Sequence, residues 1–169
     1  MSMPAEIALR PMLPDDGPEL AALFAASIDE LTGSDYSAEQ QAAWMASAED
    51  EATFTARLQG CLTIVALSDG AIAGFASLKD KDVVEMLYVR PDMAGRGVGT
   101  VLCDALERLA QGRGASAVTT AASDTAQPFF AKRGFEALHR ETVVLGDEWL
   151  GRTLMRKTLG PSAQDATRH

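Results

Sequence analysis

The stretch VVEMLYVRPDMAGRGVGTV, residues 83–101, decides the fold of this chain. Its apolar first part, residues 83–89, predicts a buried strand, and the glycine-rich part, residues 95–99, predicts a loop that enters a helix near Gly97. Glycines leave no side chain in the way of a ligand, and the first N–H groups of a helix have no partner one turn back. The stretch therefore predicts a strand–loop–helix unit whose backbone binds an anion such as a phosphate.

Spacing excludes two other kinds of glycine loop. A dinucleotide-binding G-x-G-x-x-G motif needs a third glycine at position 100, where this chain has Thr100. A P-loop needs lysine and then serine or threonine after its second glycine, and neither arrangement is present here. The loop thus suits a phosphate without matching either of these two motifs.

Composition predicts an ordinary globular protein. With 169 residues, 47% of them hydrophobic and 23% charged, the chain is long enough for one substantial core, and we assign residues 1–159 to a single domain and 160–169 to a disordered tail. No apolar run approaches the ~20 residues that span a bilayer, and the N-terminus lacks a signal-peptide pattern. We therefore expect a cytoplasmic location and no membrane partner.

Charge and cysteine usage narrow the classes of ligand. A net charge of −9 argues against nucleic acid, whose phosphates favour a basic surface, and is compatible with a cationic amine substrate. Cys61 and Cys103 form no metal-like cluster, and their apolar surroundings predict buried free thiols. We expect no bound metal.

Hydrophobic periodicity predicts helices first and strands later. After a short strand at residues 6–10, apolar residues recur at helical spacing, and S-A-E-Q at Ser37 is a capping box that begins a second helix. A third helix is predicted at residues 50–59. The residues expected to form the buried face of the first helix are Leu20, Leu23, Phe24, Ile28 and Leu31.

The rest of the chain predicts one sheet. Short polar turns join strands at 62–67, 71–78 and 83–89, which should therefore be antiparallel. A helix at 97–111 then leads to a strand at 117–121 through a βαβ connection, so the strands at 83–89 and 117–121 should be parallel. A helix containing Phe129 and Phe130 and a hairpin of residues 135–145 and 149–159 follow.

Two motifs in this order resemble those of the GNAT superfamily of N-acetyltransferases. Residues 89–99, VRPDMAGRGVG, resemble its acyl-CoA pyrophosphate loop, Gln/Arg-x-x-Gly-x-Gly/Ala, except that Ala94 replaces Gln or Arg. Residues 126–135, AQPFFAKRGF, resemble its A-x-x-F-Y-x-x-x-G-F motif, except that Phe130 replaces the usual tyrosine. The resemblance implies an α/β (α+β) fold with a mixed, mostly antiparallel sheet of about six to seven strands, flanked by helices and containing one central parallel βαβ unit.

The family resemblance also implies an activity, the transfer of acetyl from acetyl-CoA to a primary amine by direct attack, without a metal. The acceptor would be a small-molecule or peptide amine, and homodimers are common in such folds. The alternative is a non-catalytic CoA-binding or regulatory module. The implied cofactor-binding residues are Leu87, Tyr88, Val89, Ala94, Gly95, Arg96, Gly97, Val98, Gly99, Thr100, Ser123, Phe129 and Phe130.

Further residues are candidates for the chemistry. Glu85 is a charge in an apolar strand and the first choice of general base, with a solvent-facing or ion-paired carboxylate as the alternative. Because Phe130 cannot donate a proton, water, Tyr88 or Tyr36 would serve the departing thiolate. Ser123 either bonds the pantetheine arm or caps a helix. Residues 35–44 are also similar to a D-Y-S-x-x-Q-x-x-A-W pattern found in a branch of small bacterial acetyltransferases. This similarity makes Tyr36 and Trp44 candidates for the wall of the acceptor site. Simple packing is the alternative for both.

Overall fold

Residues 6–160, which a computed structural model describes, form a sheet of seven strands with helices on both faces. The predicted tail lies outside the described residues except for Gly160. The strands are β1 (Ile7–Pro11), β2 (Leu62–Ser68), β3 (Ala71–Lys79), β4 (Val83–Val89), β5 (Ala117–Ser123), β6 (Glu136–Leu145) and β7 (Glu148–Thr158). The α-helices are α1 (Gly17–Leu31), α2 (Ala38–Met45), α3 (Glu51–Gln59), α4 (Val98–Gly112) and α5 (Gln127–Lys132).

The strand order across the sheet is β1-β2-β3-β4-β5-β7-β6. Strands β4 and β5 are parallel, and all other neighbouring strands are antiparallel. The predicted fold class is therefore confirmed, including the β2-β3-β4 meander and the single βαβ unit through α4. Asp69 and Gly70 form the β2–β3 turn with positive φ angles of 52° and 79°, as the Asp-Gly pair predicts.

Each face of the sheet has its own apolar core. On one face, α4 buries a stripe with Val98, Leu102 and Leu106 at helical spacing. On the other face, α1 and α3 pack Phe24 and Phe54 against Phe75 of β3. Strand β4 lies between the two cores, so its side chains reach both faces of the sheet.

Two sequence-based expectations about burial are wrong. Leu31 is 37% exposed because it is the last residue of α1, where the chain leaves the helix. Cys61 is only partly buried, since it lies in the connection between α3 and β2, whereas Cys103 on α4 is fully buried as expected. Among residues 6–160, none of the helices combines the length and the apolar character that crossing a membrane requires.

Candidate active site

Strands β4 and β5 separate shortly after they begin. Their pairing consists of Val83 with Thr119 and Val84 with Thr120, and the Thr120 hydroxyl donates to the Val84 carbonyl at 2.9 Å. Beyond Val84 the two strands share no further paired residues, although β4 continues for five more residues. The backbone groups that face the gap therefore lack strand partners on the opposite side.

A bulge in β4 begins the gap. On the neighbouring strand β3, Leu78 pairs with Val84 and Ser77 pairs with Met86, which leaves Glu85 as the extra residue. A bulge re-aims the side chain at that position and increases the local twist. The bulge thus explains how Glu85, a charged residue in an apolar strand, avoids the core.

A cavity of about 200 Å³ opens where the strands diverge. Its walls come from both strands, from α1–α3 and their connections, from the start of α5, and from the β6–β7 hairpin. The residues predicted from sequence that line it are Tyr36, Trp44, Glu85, Leu87, Tyr88, Ser123 and Phe130. The structure therefore brings the proposed base, the proposed acceptor wall and part of the proposed cofactor site together.

Glu85 faces this cavity as part of an ion pair. A terminal nitrogen of Arg57 on α3 donates to its Oε1 at 2.9 Å, and the Cys61 thiol lies 3.9 Å from Oε2. The Glu85 side chain is 19% exposed and that of Arg57 is 49% exposed. The Glu85 carboxylate is thus ion-paired, as one of the two predictions for it states, and it is also open to the cavity.

Tyr88 belongs to an aromatic cluster on the same wall. Its ring lies 4.7 Å from that of Phe24, 5.8 Å from that of Phe75 and 6.4 Å from that of Trp44, measured between centroids. Burial raises the pKa of Tyr88 to about 12, while a hydrogen bond with Trp44 opposes the rise. Tyr88 is therefore protonated at neutral pH and can donate a proton rather than accept one.

Tyr36 joins three parts of the chain. Its hydroxyl donates to the Gly151 carbonyl on β7 at 2.7 Å and accepts from the Asp124 N–H at 2.9 Å. Its ring makes an edge contact with Trp44, with centroids 5.4 Å apart. Burial raises the pKa of Tyr36 as well. Both Tyr36 and Trp44 line the cavity, and the Tyr36 hydroxyl also has a structural role.

The glycine loop lies beside the cavity rather than in its walls. Gly95 and Gly97 have φ angles of 76° and 85°, which favour glycine, and the space where their side chains would begin is open. Gly97 is the N-cap of α4, and the helix directs its first N–H groups, at residues 98–100, out of its N-terminus. Ala94, Arg96 and Thr100 are exposed.

The second motif closes the site from the other side. The Ser123 hydroxyl accepts from the Ala126 N–H at 3.1 Å, a bond within the turn that precedes α5, whose N-cap is Ala126. Phe130 is 3% exposed and packs against Phe129 and Phe135. A side chain at Gly99 would begin 3.4 Å from the Phe129 ring, so glycine permits α4 and α5 to approach here.

Some wall residues escape sequence reasoning. Among the sequence-predicted residues, Val89, Phe129 and the loop residues lie outside the cavity walls, although Leu87 contacts both regions, being 3.7 Å from the Cβ position of Gly99. Arg57 lies on an otherwise ordinary amphipathic helix, and no motif marks it. Other wall residues that sequence reasoning missed include Ser47 between α2 and α3, Val143 and Leu145 on β6, and Leu150 and Arg152 on β7.

Comparison with known proteins agrees with this geometry. The family model for the acetyltransferase (GNAT) domain matches residues 32–159. A GCN5-related N-acetyltransferase from Rhodopseudomonas palustris has 54% sequence identity and a TM-score of 0.91, with 94% of this chain and 99% of that chain covered. The uncharacterized N-acetyltransferase YafP from Escherichia coli K12 is 29% identical over 150 residues, which are 89% of this chain and 95% of that protein.

More distant structures share the fold. The PaiA N-acetyltransferase from Thermoplasma acidophilum, solved in complex with coenzyme A, has 20% identity and a TM-score of 0.73, with 91% of this chain and 99% of that chain covered. Among residues 6–160, no group of three or more His, Cys, Asp or Glu side chains is placed to hold a metal ion.

Proposed function

Because this chain belongs to the acetyltransferase (GNAT) family, we propose that it transfers acetyl from acetyl-CoA to a primary amine by direct attack. The observation that carries the proposal is the gap between β4 and β5, which opens beside a glycine loop at the N-terminus of α4 and contains Glu85. Residues 1–159 would form the catalytic domain.

The loop suits the charge of the proposed cofactor. Positive φ angles at Gly95 and Gly97 leave open space beside the loop, and the first N–H groups of α4 need acceptors. Arg96 is exposed next to them and can add a charge-assisted hydrogen bond to a phosphate oxygen. The distant relative from Thermoplasma acidophilum, which was solved with coenzyme A, supports this assignment.

The gap suits the rest of the cofactor. Because β4 and β5 pair only at their beginning, backbone groups of residues 85–89 and 121–123 face the gap without strand partners. Such groups can form hydrogen bonds with the amides of an extended pantetheine arm, which would lie between β4 and β5 like an inserted strand. Leu87 connects this gap to the glycine loop, because it lines the cavity and approaches Gly99.

Acetyl-CoA supplies a thioester, whose carbonyl carbon accepts the amine and whose thiolate leaves. Before attack the acceptor ammonium must lose a proton, and Glu85 takes it directly or through a water. Arg57 holds the Glu85 carboxylate at 2.9 Å and so orients it. Tyr88, whose pKa is raised to about 12, retains a proton for the leaving sulfur, which Phe130 cannot supply.

The test combines binding and turnover in one sample. A thermal-shift titration with acetyl-CoA, CoA and NAD comes first, followed by free-thiol detection over a panel of amines. Stabilisation by the CoA compounds but not NAD, together with thiol release that depends on an amine, is the expected result. A sample without amine corrects for the thiols of Cys61 and Cys103.

Two other results would change the assignment. Stabilisation by CoA without thiol release from any amine would favour the non-catalytic CoA-binding module, which the buried Phe130 also favours, since it cannot protonate a thiolate. No stabilisation by either CoA compound would refute the glycine loop as a CoA site.

A further inference from the structure

The charges in the cavity walls differ in sign from those of the whole chain. The chain has a net charge of −9, which taken alone favours a cationic ligand. The walls, however, contain two guanidinium groups, those of Arg57 and Arg152, and one carboxylate, that of Glu85. Among the wall residues alone, positive groups thus outnumber negative ones by two to one, although the protein as a whole is acidic.

The two arginines are neutralised differently. Arg57 is paired with Glu85 inside the cavity. Arg152 on β7 is paired with Glu141 on β6, which is not a wall residue, and this bond uses only its Nε, at 2.7 Å. Within residues 6–160, neither terminal nitrogen of Arg152 has a hydrogen-bond partner. Its bidentate edge is thus free to bind an anion.

A ligand that fills the cavity would displace water from the part of Arg152 that faces it, although the side chain keeps its ion pair with Glu141. Most of the surrounding surface is aromatic or aliphatic, from Phe24, Trp44, Val143 and Leu150 among others. A bound acceptor displaces water from such walls, and a charged group that loses water without gaining a partner is destabilised. A ligand carboxylate would replace the lost water with a planar, two-point hydrogen bond.

Resting on the proposed acetyl transfer, we propose that the acceptor is a small amine that also carries a carboxylate, such as a free amino acid. Its amine lies at Glu85, where the proton is removed, and its carboxylate is bound by Arg152. The apolar walls between these two groups accommodate the carbon skeleton. Such an acceptor carries a negative group, unlike the purely cationic amine that the net charge of the chain suggests.

Matched acceptors test the carboxylate directly. Free leucine, phenylalanine and methionine are each compared with the corresponding carboxamide and with the amine that lacks the carboxyl group. A second series, from an α-amino acid to 4-aminobutyrate and 6-aminohexanoate, varies the separation of amine and carboxylate. We expect at least one carboxylate-bearing acceptor to exceed its two matched partners by about tenfold or more in kcat/KM.

The carboxamide is a demanding comparison. Its amine is less basic than that of the free amino acid, so a larger fraction is unprotonated at neutral pH and ready to attack. A preference for the carboxylate therefore cannot arise from the basicity of the acceptor. Equal or faster turnover of the carboxamides and plain amines would overturn the inference.

Two variants assign the preference to one residue. In Arg152→Gln the preference should fall by about tenfold, mainly through KM of the carboxylate acceptor, while turnover of plain amines is less affected. Arg156→Gln is the matched control, because Arg156 is exposed on the same strand and is not a wall residue. A preference that survives Arg152→Gln, or that falls equally in Arg156→Gln, would overturn the role of Arg152.

A binding measurement separates this inference from the proposed function. Thermal stabilisation by amino acids is measured in the presence of saturating CoA, which does not require turnover. Thiol release from plain amines alone would leave the acetyltransferase assignment intact and overturn only the acceptor class. No stabilisation by CoA and no thiol release from any amine would overturn both.

Discussion

The Tyr36 hydroxyl donates a 2.7 Å hydrogen bond to the Gly151 carbonyl, although the two residues are 115 positions apart. The same oxygen accepts from the N–H of Asp124, just after β5. One phenol therefore joins the loop before α2, the end of β5 and the middle of β7. Because all three segments border the cavity, this contact holds its walls in place.

Removing that hydroxyl should reduce stability. In Tyr36→Phe, the Gly151 carbonyl and the Asp124 N–H lose a partner at a site that is 6% exposed. We expect the free energy of unfolding in urea to fall by about 1–3 kcal/mol. Thr142→Val, which removes an exposed hydroxyl on β6, should change the free energy of unfolding by no more than a few tenths of a kcal/mol. Equal unfolding midpoints for wild type and Tyr36→Phe would show that the bridge contributes nothing.

The acceptor-wall role of Tyr36 requires a larger truncation. Tyr36→Ala removes a ring that lines the cavity and contacts Trp44. We expect KM or kcat for the acceptor to change while thermal stabilisation by CoA is retained, because the ring lies apart from the glycine loop. Steady-state kinetics at varied acceptor concentration measures this. Unaltered acceptor kinetics would exclude a role for Tyr36 in binding the acceptor.

A negative charge in the glycine loop should prevent CoA binding. Gly97→Glu places a carboxylate at the N-terminus of α4, where the phosphates are expected to bind. Gly114→Glu is a close control, since Gly114 has a similar φ angle of 90° and equally open surroundings at the other end of α4. Stabilisation by acetyl-CoA should disappear in the first variant and persist in the second. If both variants retain it, the loop is not the CoA site.

Neutralising Glu85 should slow the reaction without weakening the binding of the cofactor. Glu85→Gln keeps the shape of the side chain and an acceptor for Arg57, but it cannot take a proton from the amine. We expect kcat to fall about 10²- to 10⁴-fold with unchanged stabilisation by CoA. Glu136→Gln, on the exposed part of β6, should behave as wild type. A nearly normal rate for Glu85→Gln at every pH would exclude Glu85 as the base.

Both tyrosines should lose their protons at a higher pH in the folded protein than in the unfolded chain. The chain has two tyrosines, Tyr36 and Tyr88, and burial raises the pKa of both, that of Tyr88 to about 12. The unfolded reference is about 10. A raised pKa means that the folded state binds the proton more tightly, so its stabilising effect is complete below about pH 10 and is lost as the pH rises toward 12.

Ultraviolet absorbance of the phenolates measures this directly. In urea, half of the tyrosine signal should appear near pH 10, whereas the folded protein should show a smaller phenolate signal at that pH, because the pKa of both tyrosines is raised. Tyr88→Phe should flatten the loss of stability between pH 10 and 12. A folded protein that is half ionised at or below pH 10 would contradict the burial of both rings.

Much of the fold is predictable because it depends on local patterns. Ser37 and Gln40 form the predicted capping box, with reciprocal hydrogen bonds of 3.1 and 2.9 Å. Short polar turns imply the antiparallel meander, and the helix between β4 and β5 implies their parallel pairing. Local patterns fail at element ends, as at Leu31, where burial depends on what other elements cover.

The candidate site likewise has one part that local sequence patterns predict and another part that they do not. The conformation of the glycine loop is predictable because its glycines act within a few residues of chain, as the positive φ angles of Gly95 and Gly97 show. The Arg57–Glu85 pair joins residues 28 positions apart on a helix and a strand, and no periodicity indicates it. The bulge that re-aims Glu85 follows from register with β3, which sequence does not specify to one residue.

The sequence by itself determined the order of helices and strands, the family resemblance and the position of the glycine loop before α4, because each follows from spacing along the chain. Only the tertiary structure decided which side chains share the cavity and what charge its walls carry. Arg152 comes from β7 and Glu85 from β4, and they line one cavity because the strand between them, β5, diverges from β4. Such proximity is a property of packing in three dimensions, which distance along the chain does not encode.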